Sequence, residues 1–93
     1  MSFDYKGSRW LAARARALRR DGYRCRECRR YGKRVEATHV HHVWPVEDFP
    51  EYAFEAWNHL SLCLSCHDRM HDRLTGRLTD LGQRWKNRTP PPQ

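Results

Sequence analysis

The sequence predicts a small α+β domain held together by a four-cysteine metal knot. Three observations carry that expectation. Two Cys-x-x-Cys pairs stand at Cys25/Cys28 and Cys63/Cys66. An Ala- and Arg-rich segment with helical spacing precedes the first pair. Short runs with β-type alternation lie between the pairs.

Taken in order, residues 1–7 read as a loose lead-in. Ser8 to about Arg20 reads as a helix, with Ser8 as its expected N-cap. Ala12, Ala13, Ala15 and Ala17 favour helix, while Trp10, Ala13 and Ala17, with Leu11 and Leu18, form an apolar stripe opposite a face of arginines. Gly22 is the expected stop. Cys25–Cys28 reads as a tight turn, and residues 33–41, with Val35, Ala37, Thr38 and Val40, as a strand. Pro45 and Pro50 place residues 43–57 in a loop, with a short helical turn at Tyr52–Trp57. Leu60-Ser61-Leu62 reads as a second strand and Cys63 to about Arg73 as a second long helix. Leu78, Leu81 and Trp85 mark a short closing helix. One domain is expected over residues 1–88, followed by a disordered Pro-rich tail at 89–93.

Composition bounds the function. A chain of 93 residues buries a limited core, and 39% hydrophobic residues is low, yet four Trp, four Tyr and three Phe argue for a folded unit. Something besides apolar burial is expected to hold it. Eighteen Lys and Arg against eleven Asp and Glu give a net charge of +7. Arg dominates and crowds the first third, which suits bidentate phosphate contacts and makes nucleic acid the natural partner. No run approaches the ~20 apolar residues that span a bilayer. Met1-Ser2-Phe3-Asp4-Tyr5 has no apolar signal-peptide core, so a reducing cytoplasm is expected.

In that compartment paired cysteines read as metal ligands, with disulfides or a redox pair as the bland alternatives. Two residues between cysteines let both sulfurs face one ion, and two pairs complete a tetrahedral thiolate site for zinc or an iron–sulfur cluster. Thirty-four residues (29–62) separate the pairs, so the knot is a long-range staple. Four thiolates leave no open position, so its expected role is structural zinc binding and not chemistry.

Six histidines remain, and five fall in two clusters. In Thr38-His39-Val40-His41-His42-Val43, strand alternation puts His39 and His41 on one face and His42 on the other. Adjacent histidines at a strand end can divide two tasks, one on a metal and one toward a substrate. In Cys66-His67-x-x-x-His71, a continuous helix puts both imidazoles on one face where they can share an ion. Against this stand a surface reading of His71 and a mixed cysteine–histidine site. His39 and His59 read as solvated or DNA-facing side chains.

The ordered set Cys25-x-x-Cys28, His41-His42-Val43, Asn58, Cys63-x-x-Cys66-His67-x-x-x-His71, together with Ser8-Arg9-Trp10 and Arg20-Asp21-Gly22-Tyr23-Arg24-Cys25, resembles the HNH endonucleases. It is most similar to the small phage and prophage members often encoded near DNA-packaging genes, over residues from about 8 to 73. The resemblance implies a ββα-metal (His-Me finger) core preceded by an N-terminal helix. It implies His41 as the first catalytic-metal ligand, a position often Asp in the family, His67 as the second and His71 as a third used by some members. It further implies His42 as general base and Asn58 as the residue bracing its loop. The histidine at 41 softens the ligand set toward Mn2+, Ni2+ or Zn2+, with Mg2+ the remaining choice. The implied activity is metal-dependent hydrolysis of DNA phosphodiesters to 5′-phosphate and 3′-hydroxyl ends, in phage DNA packaging or processing, with terminase proteins as expected partners. Arg69 and Arg73 are the expected phosphate contacts, and a monomer or weak dimer the expected state. The competing reading is a non-catalytic zinc module that binds DNA or RNA, or a terminase accessory protein; it leaves His41, His42, Asn58 and His67 without a task.

Overall fold

The computed structural model describes residues 3–92. Met1 and Ser2 of the expected lead-in and Gln93 of the expected tail lie outside this range. Helix α1 (Ser8–Arg20) runs where the alanines predict it, but Ser8 is its first helical residue and not its cap; Gly7 holds that place and offers no side chain. The helix closes with a Schellman motif: Tyr23 N–H donates to the Leu18 carbonyl and Gly22 N–H to that of Arg19. Gly22 adopts φ +61, the left-handed conformation that glycine accepts at least cost.

Helix α2 (Arg26–Arg29) is the single turn that carries the first cysteine pair. Strand β1 (His39–His42) pairs antiparallel with β2 (His59–Leu62), register His39↔Leu62, Val40↔Ser61, His41↔Leu60 and His42↔His59. The expected strand over 33–41 is shorter at its start because its residues divide between two partners. Cys25 N–H donates to the Val35 carbonyl and Ala37 N–H to that of Tyr23, so residues 35–37 pair with the segment after α1. Pairing with β2 takes over from Thr38, whose N–H donates to Leu62. The intervening loop contains two 3-10 turns, Pro50–Tyr52 and Ala56–Asn58.

Helix α3 is the larger correction. It spans only Leu64–Asp68 and does not reach Arg73. Downstream, side chains outcompete the helix for backbone groups. The Asp72 carboxylate accepts the Leu74 and Thr75 amides, and the Thr79 hydroxyl donates to the Arg69 carbonyl. A bridge between His71 and Leu78 closes a hairpin-like loop. Helix α4 (Asp80–Arg88) follows, with the Thr79 hydroxyl accepting from the Gly82 amide as its cap.

The pleat sorts the sheet into two faces. Val40 packs toward α1 with Trp10, Ala13, Ala17, Leu18 and Ala37. Leu60 and Leu62 pack on the other side with Val43, Met70, Leu81, Trp85 and the buried cysteines. Arg20 pins α1 to the sheet through the Ala56 and His59 carbonyls. Trp85 ties α4 to the first cysteine pair by donating its indole N–H to Glu27, 3.0 Å away. The start of the expected tail is also engaged, because the Trp44 indole N–H donates to the Thr89 carbonyl.

Candidate active site

The four cysteines converge as their spacing predicts. Their sulfurs lie within 4.8 Å of one another, with Cys28 Sγ 3.9 Å from Cys63 Sγ and 3.7 Å from Cys66 Sγ. All four are free thiols, which sets aside the disulfide alternative. Burial, then hydrogen bonding from Cys63, pushes the Cys66 thiol up; burial and Cys25 push Cys28 up. Burial opposes ionisation of Cys63 too, but the Cys66 amide and the neighbouring thiols hold it below the ordinary thiol value. Four soft donors crowded at this separation fit a tetrahedral cation, whose binding releases the thiol protons.

A second centre lies on the same face of the sheet, where His39 and His41 stand beside their cross-strand partners Leu62 and Leu60. A cleft of about 990 Å³ is lined by His39, His41, His42, His67 and His71, with Trp10, Arg14, Glu47 and Arg77 at its walls. His41 is 2% exposed, and its Nε2 has no hydrogen-bond partner among the described residues. A buried imidazole nitrogen left unpaired is costly unless something binds it. The His71 ring lies 5.4 Å from the His41 ring and the His67 ring 6.4 Å, centroid to centroid. His67 leans against His39 at 4.9 Å, so its imidazole must turn from His39 to share an ion with His41. His71 reaches the site from the loop after α3, not from the helical i, i+4 face the sequence suggested. Burial, aided by mutual repulsion with His71 and His67, lowers His41 to about 3. Burial likewise lowers His67 and His71, so all three are neutral at pH ~7 and can offer lone pairs. The orphaned Nε2 and this donor chemistry suit a divalent transition-metal ion, but among the described residues it is the four cysteines whose ligand atoms lie within 4.8 Å of one another, so the imidazoles would have to turn inward to share one ion.

The pleat turns His42 to the opposite face from His41. There it stacks on Trp10, rings 4.5 Å apart and 27° between planes, with the edges of Phe3 and Tyr5 beside it. His42 Nε2–H donates to the Ala53 carbonyl at 3.0 Å, because a carbonyl can only accept. That bond assigns the tautomer and leaves Nδ1 as the basic nitrogen. His59, the cross-strand partner of His42, donates its own Nε2–H to the same carbonyl at 2.9 Å. Burial lowers His42 to about 4 against the raising effect of the Ala53 bond, and His59 repulsion adds to the fall. Burial lowers His59 as well.

Asn58 is fully buried and stitches the loop to the strand end. Its Oδ1 accepts from the Trp44 amide at 2.7 Å, and its Nδ2 donates to the Trp44 and Tyr52 carbonyls at 3.1 Å. Its backbone carbonyl accepts from the Val43 amide. The side chain thus extends the sheet by one rung and holds the loop that presents the Ala53 carbonyl.

Arg69 and Arg73 are exposed and stand outside the cleft lining, whereas Arg14 and Arg77 are part of it. Trp10 and Arg14 were not legible as site residues, because helical spacing assigns the first to a core stripe and the second to a solvated face. His59 read as solvated or DNA-facing; it is 2% exposed and packed behind His42.

The family model for HNH endonucleases matches residues 25–73, and the chain belongs to that family. The fold is similar to the crystal structure of the HNH endonuclease of the deep-sea thermophilic bacteriophage GVE2 with manganese ion. The TM-score is 0.67 and the identity 31%, over 70% of this chain and 71% of that one. No curated protein matches the chain.

Proposed function

We propose that this protein is a metal-dependent DNA endonuclease, with His42 as general base, His41, His67 and His71 as ligands of the catalytic ion, and Cys25, Cys28, Cys63 and Cys66 holding structural zinc. The observation that carries the reading is the convergence of His41, His42, His67 and His71 on one cleft from three separate segments. When bound, a divalent ion held by His41, His67 and His71 would supply Lewis-acid stabilisation of the negative charge that develops during hydrolysis. The chain supplies the proton chemistry. His42 Nδ1 takes a proton from a water whose oxygen attacks phosphorus; the bond to the 3′ oxygen breaks and that oxygen takes up a proton from solvent, leaving a 5′-phosphate and a 3′-hydroxyl. The Ala53 carbonyl and the Trp10 ring hold the imidazole in one tautomer and one orientation. Asn58 holds the loop that bears this carbonyl. Arg14 and Arg77 at the walls, and Arg69 and Arg73 on the adjoining surface, contact backbone phosphates.

The chain's own ligand set and the manganese-containing crystal of the phage enzyme support Mn2+ as the first catalytic metal to test. The similar solved structure is of a bacteriophage enzyme, which suits action on phage DNA; the sequence resemblance to small phage members extends the proposal to packaging or processing beside terminase proteins, in the host cytoplasm and as a monomer or weak dimer. No described helix is long and apolar enough to cross a membrane. A supercoiled-plasmid assay with wild type and His42→Ala, in Mg2+, Mn2+, Ni2+ or chelator, tests the reading. Metal-dependent nicking by wild type alone is expected. A folded, zinc-loaded wild type that shifts DNA on a gel and never cuts it would replace the nuclease with a binding module.

A further inference from the structure

The loop between α3 and α4 is built as a stiff finger with an apolar tip. Asp72 N–H donates to the Arg77 carbonyl at 2.7 Å and Gly76 N–H to the Asp72 carbonyl at 2.8 Å. The Leu74 and Thr75 amides donate to Asp72 Oδ1 at 2.8 and 2.9 Å, and the Arg77 amide to Thr75 Oγ1. Gly76 turns the chain at φ +73. The base of the finger is clamped to α4, because a Cβ on Gly82 would stand 2.5 Å from the Met70 carbonyl oxygen. The amides of residues 72 and 74–77 therefore all have acceptors within the finger itself, and its shape is preset.

At the tip Leu74 is 96% exposed, the most exposed of the large apolar side chains described. A lone surface leucine is ordinary; a leucine held out on a hydrogen-bonded finger between Arg73 and Arg77 at the rim of a phosphate-binding cleft is not. Thr75, Gly76 and Arg77 line the cleft itself, so a duplex whose phosphate enters the cleft meets Leu74 at the same time. Leucine is among the side chains that proteins insert between base steps from the minor groove, with flanking cations on the phosphates.

We propose that Leu74 is a wedge that enters the minor groove of duplex DNA and unstacks a base step beside the scissile phosphate, while Arg73 and Arg77 grip the backbone on either side. This assignment rests on the nuclease reading for its target and extends it to how the duplex is deformed. Burying the leucine between bases offsets part of the unstacking cost, and the resulting kink opens the backbone toward the histidines.

Two measurements test it, one independent of cleavage. Short duplexes carrying 2-aminopurine at several adenine positions should brighten when the His42→Ala protein binds, and should stay dim with the His42→Ala/Leu74→Ala double variant at saturating protein. In the active protein, Leu74→Ala should lower the ratio of duplex cleavage to cleavage of a mismatched bubble by about tenfold, because the bubble is already unstacked. Leu74→Met should retain most of the ratio, and Leu64→Ala, an exposed leucine away from the cleft, should leave it unchanged. Leu74 is exposed, so its truncation leaves the core intact, and equal melting temperatures check this. Unchanged fluorescence on binding of the Leu74-containing protein, or an equal ratio in wild type and Leu74→Ala, would overturn the wedge. Brightening that depends on Leu74 in a protein that cuts nothing would keep the wedge and remove the nuclease.

Discussion

The Trp10 indole lies against the His42 imidazole, 4.5 Å between ring centres and 27° between planes. The contact joins α1 to the end of β1, so the N-terminal helix packs against the proposed base as well as forming part of the core. Trp10→Ala should cost ~3–5 kcal/mol through the cavity it leaves. Trp10→Phe is the sharper variant: a smaller ring keeps the packing but loosens the imidazole. Cleavage should fall several-fold with Mn2+ affinity unchanged, measured by plasmid nicking beside calorimetric titration; equal rates would reduce Trp10 to a packing residue.

His42→Ala should abolish cleavage while zinc content, fold and DNA binding survive. Loss of folding would make His42 a structural histidine, which circular dichroism on the purified variant decides.

Asn58→Ala should leave the Trp44 amide and the Trp44 and Tyr52 carbonyls without a side-chain partner. Each buried orphan costs ~1–3 kcal/mol, so a clear drop in melting temperature is expected together with a slower rate and intact metal binding. Full activity would reject the bracing role.

His41, His42 and His59 have their pKa values lowered by burial, to about 3 and about 4 for the first two. An unfolded histidine titrates near ~6.5. Between those values the unfolded chain binds more protons than the folded one, so stability rises with pH there. The contribution is intact above pH ~6.5 and declines as pH falls toward the folded values. Thermal melts at pH 7 and pH 5, with a zinc indicator confirming that the knot stays loaded, should show a lower midpoint at pH 5. A flat profile would place these imidazoles in contact with solvent.

Cys63→Ser, or a strong chelator, should release zinc and unfold the domain, since the knot links the segment after α1 to the start of α3. A folded, zinc-free variant would show that the two apolar clusters suffice.

Much of this architecture was legible in the residues. The alanine spacing marks α1, the cysteine pairs mark the knot, and the order of His41, His42, Asn58 and His67 marks the proposed site. These signals are local, and their physics is local too: helix propensity, a two-residue turn, strand alternation. The expected helix through His71 failed because Asp72, Thr75 and Thr79 capture backbone groups that a helix needs, a competition the apolar period does not register. The strand start failed because residues 35–37 have a different partner from residues 39–42.

The sequence by itself determined the ligand chemistry: four thiols at chelating spacing, adjacent histidines at a strand end, and a surplus of arginine. Only the tertiary structure decided what those groups face. It set His42 between Trp10 and the Ala53 carbonyl, placed His59 behind it, brought His71 to the cleft from a loop and held Leu74 out at its rim. The reason is that donor chemistry belongs to a side chain, whereas orientation and burial come from contacts between segments far apart in the chain.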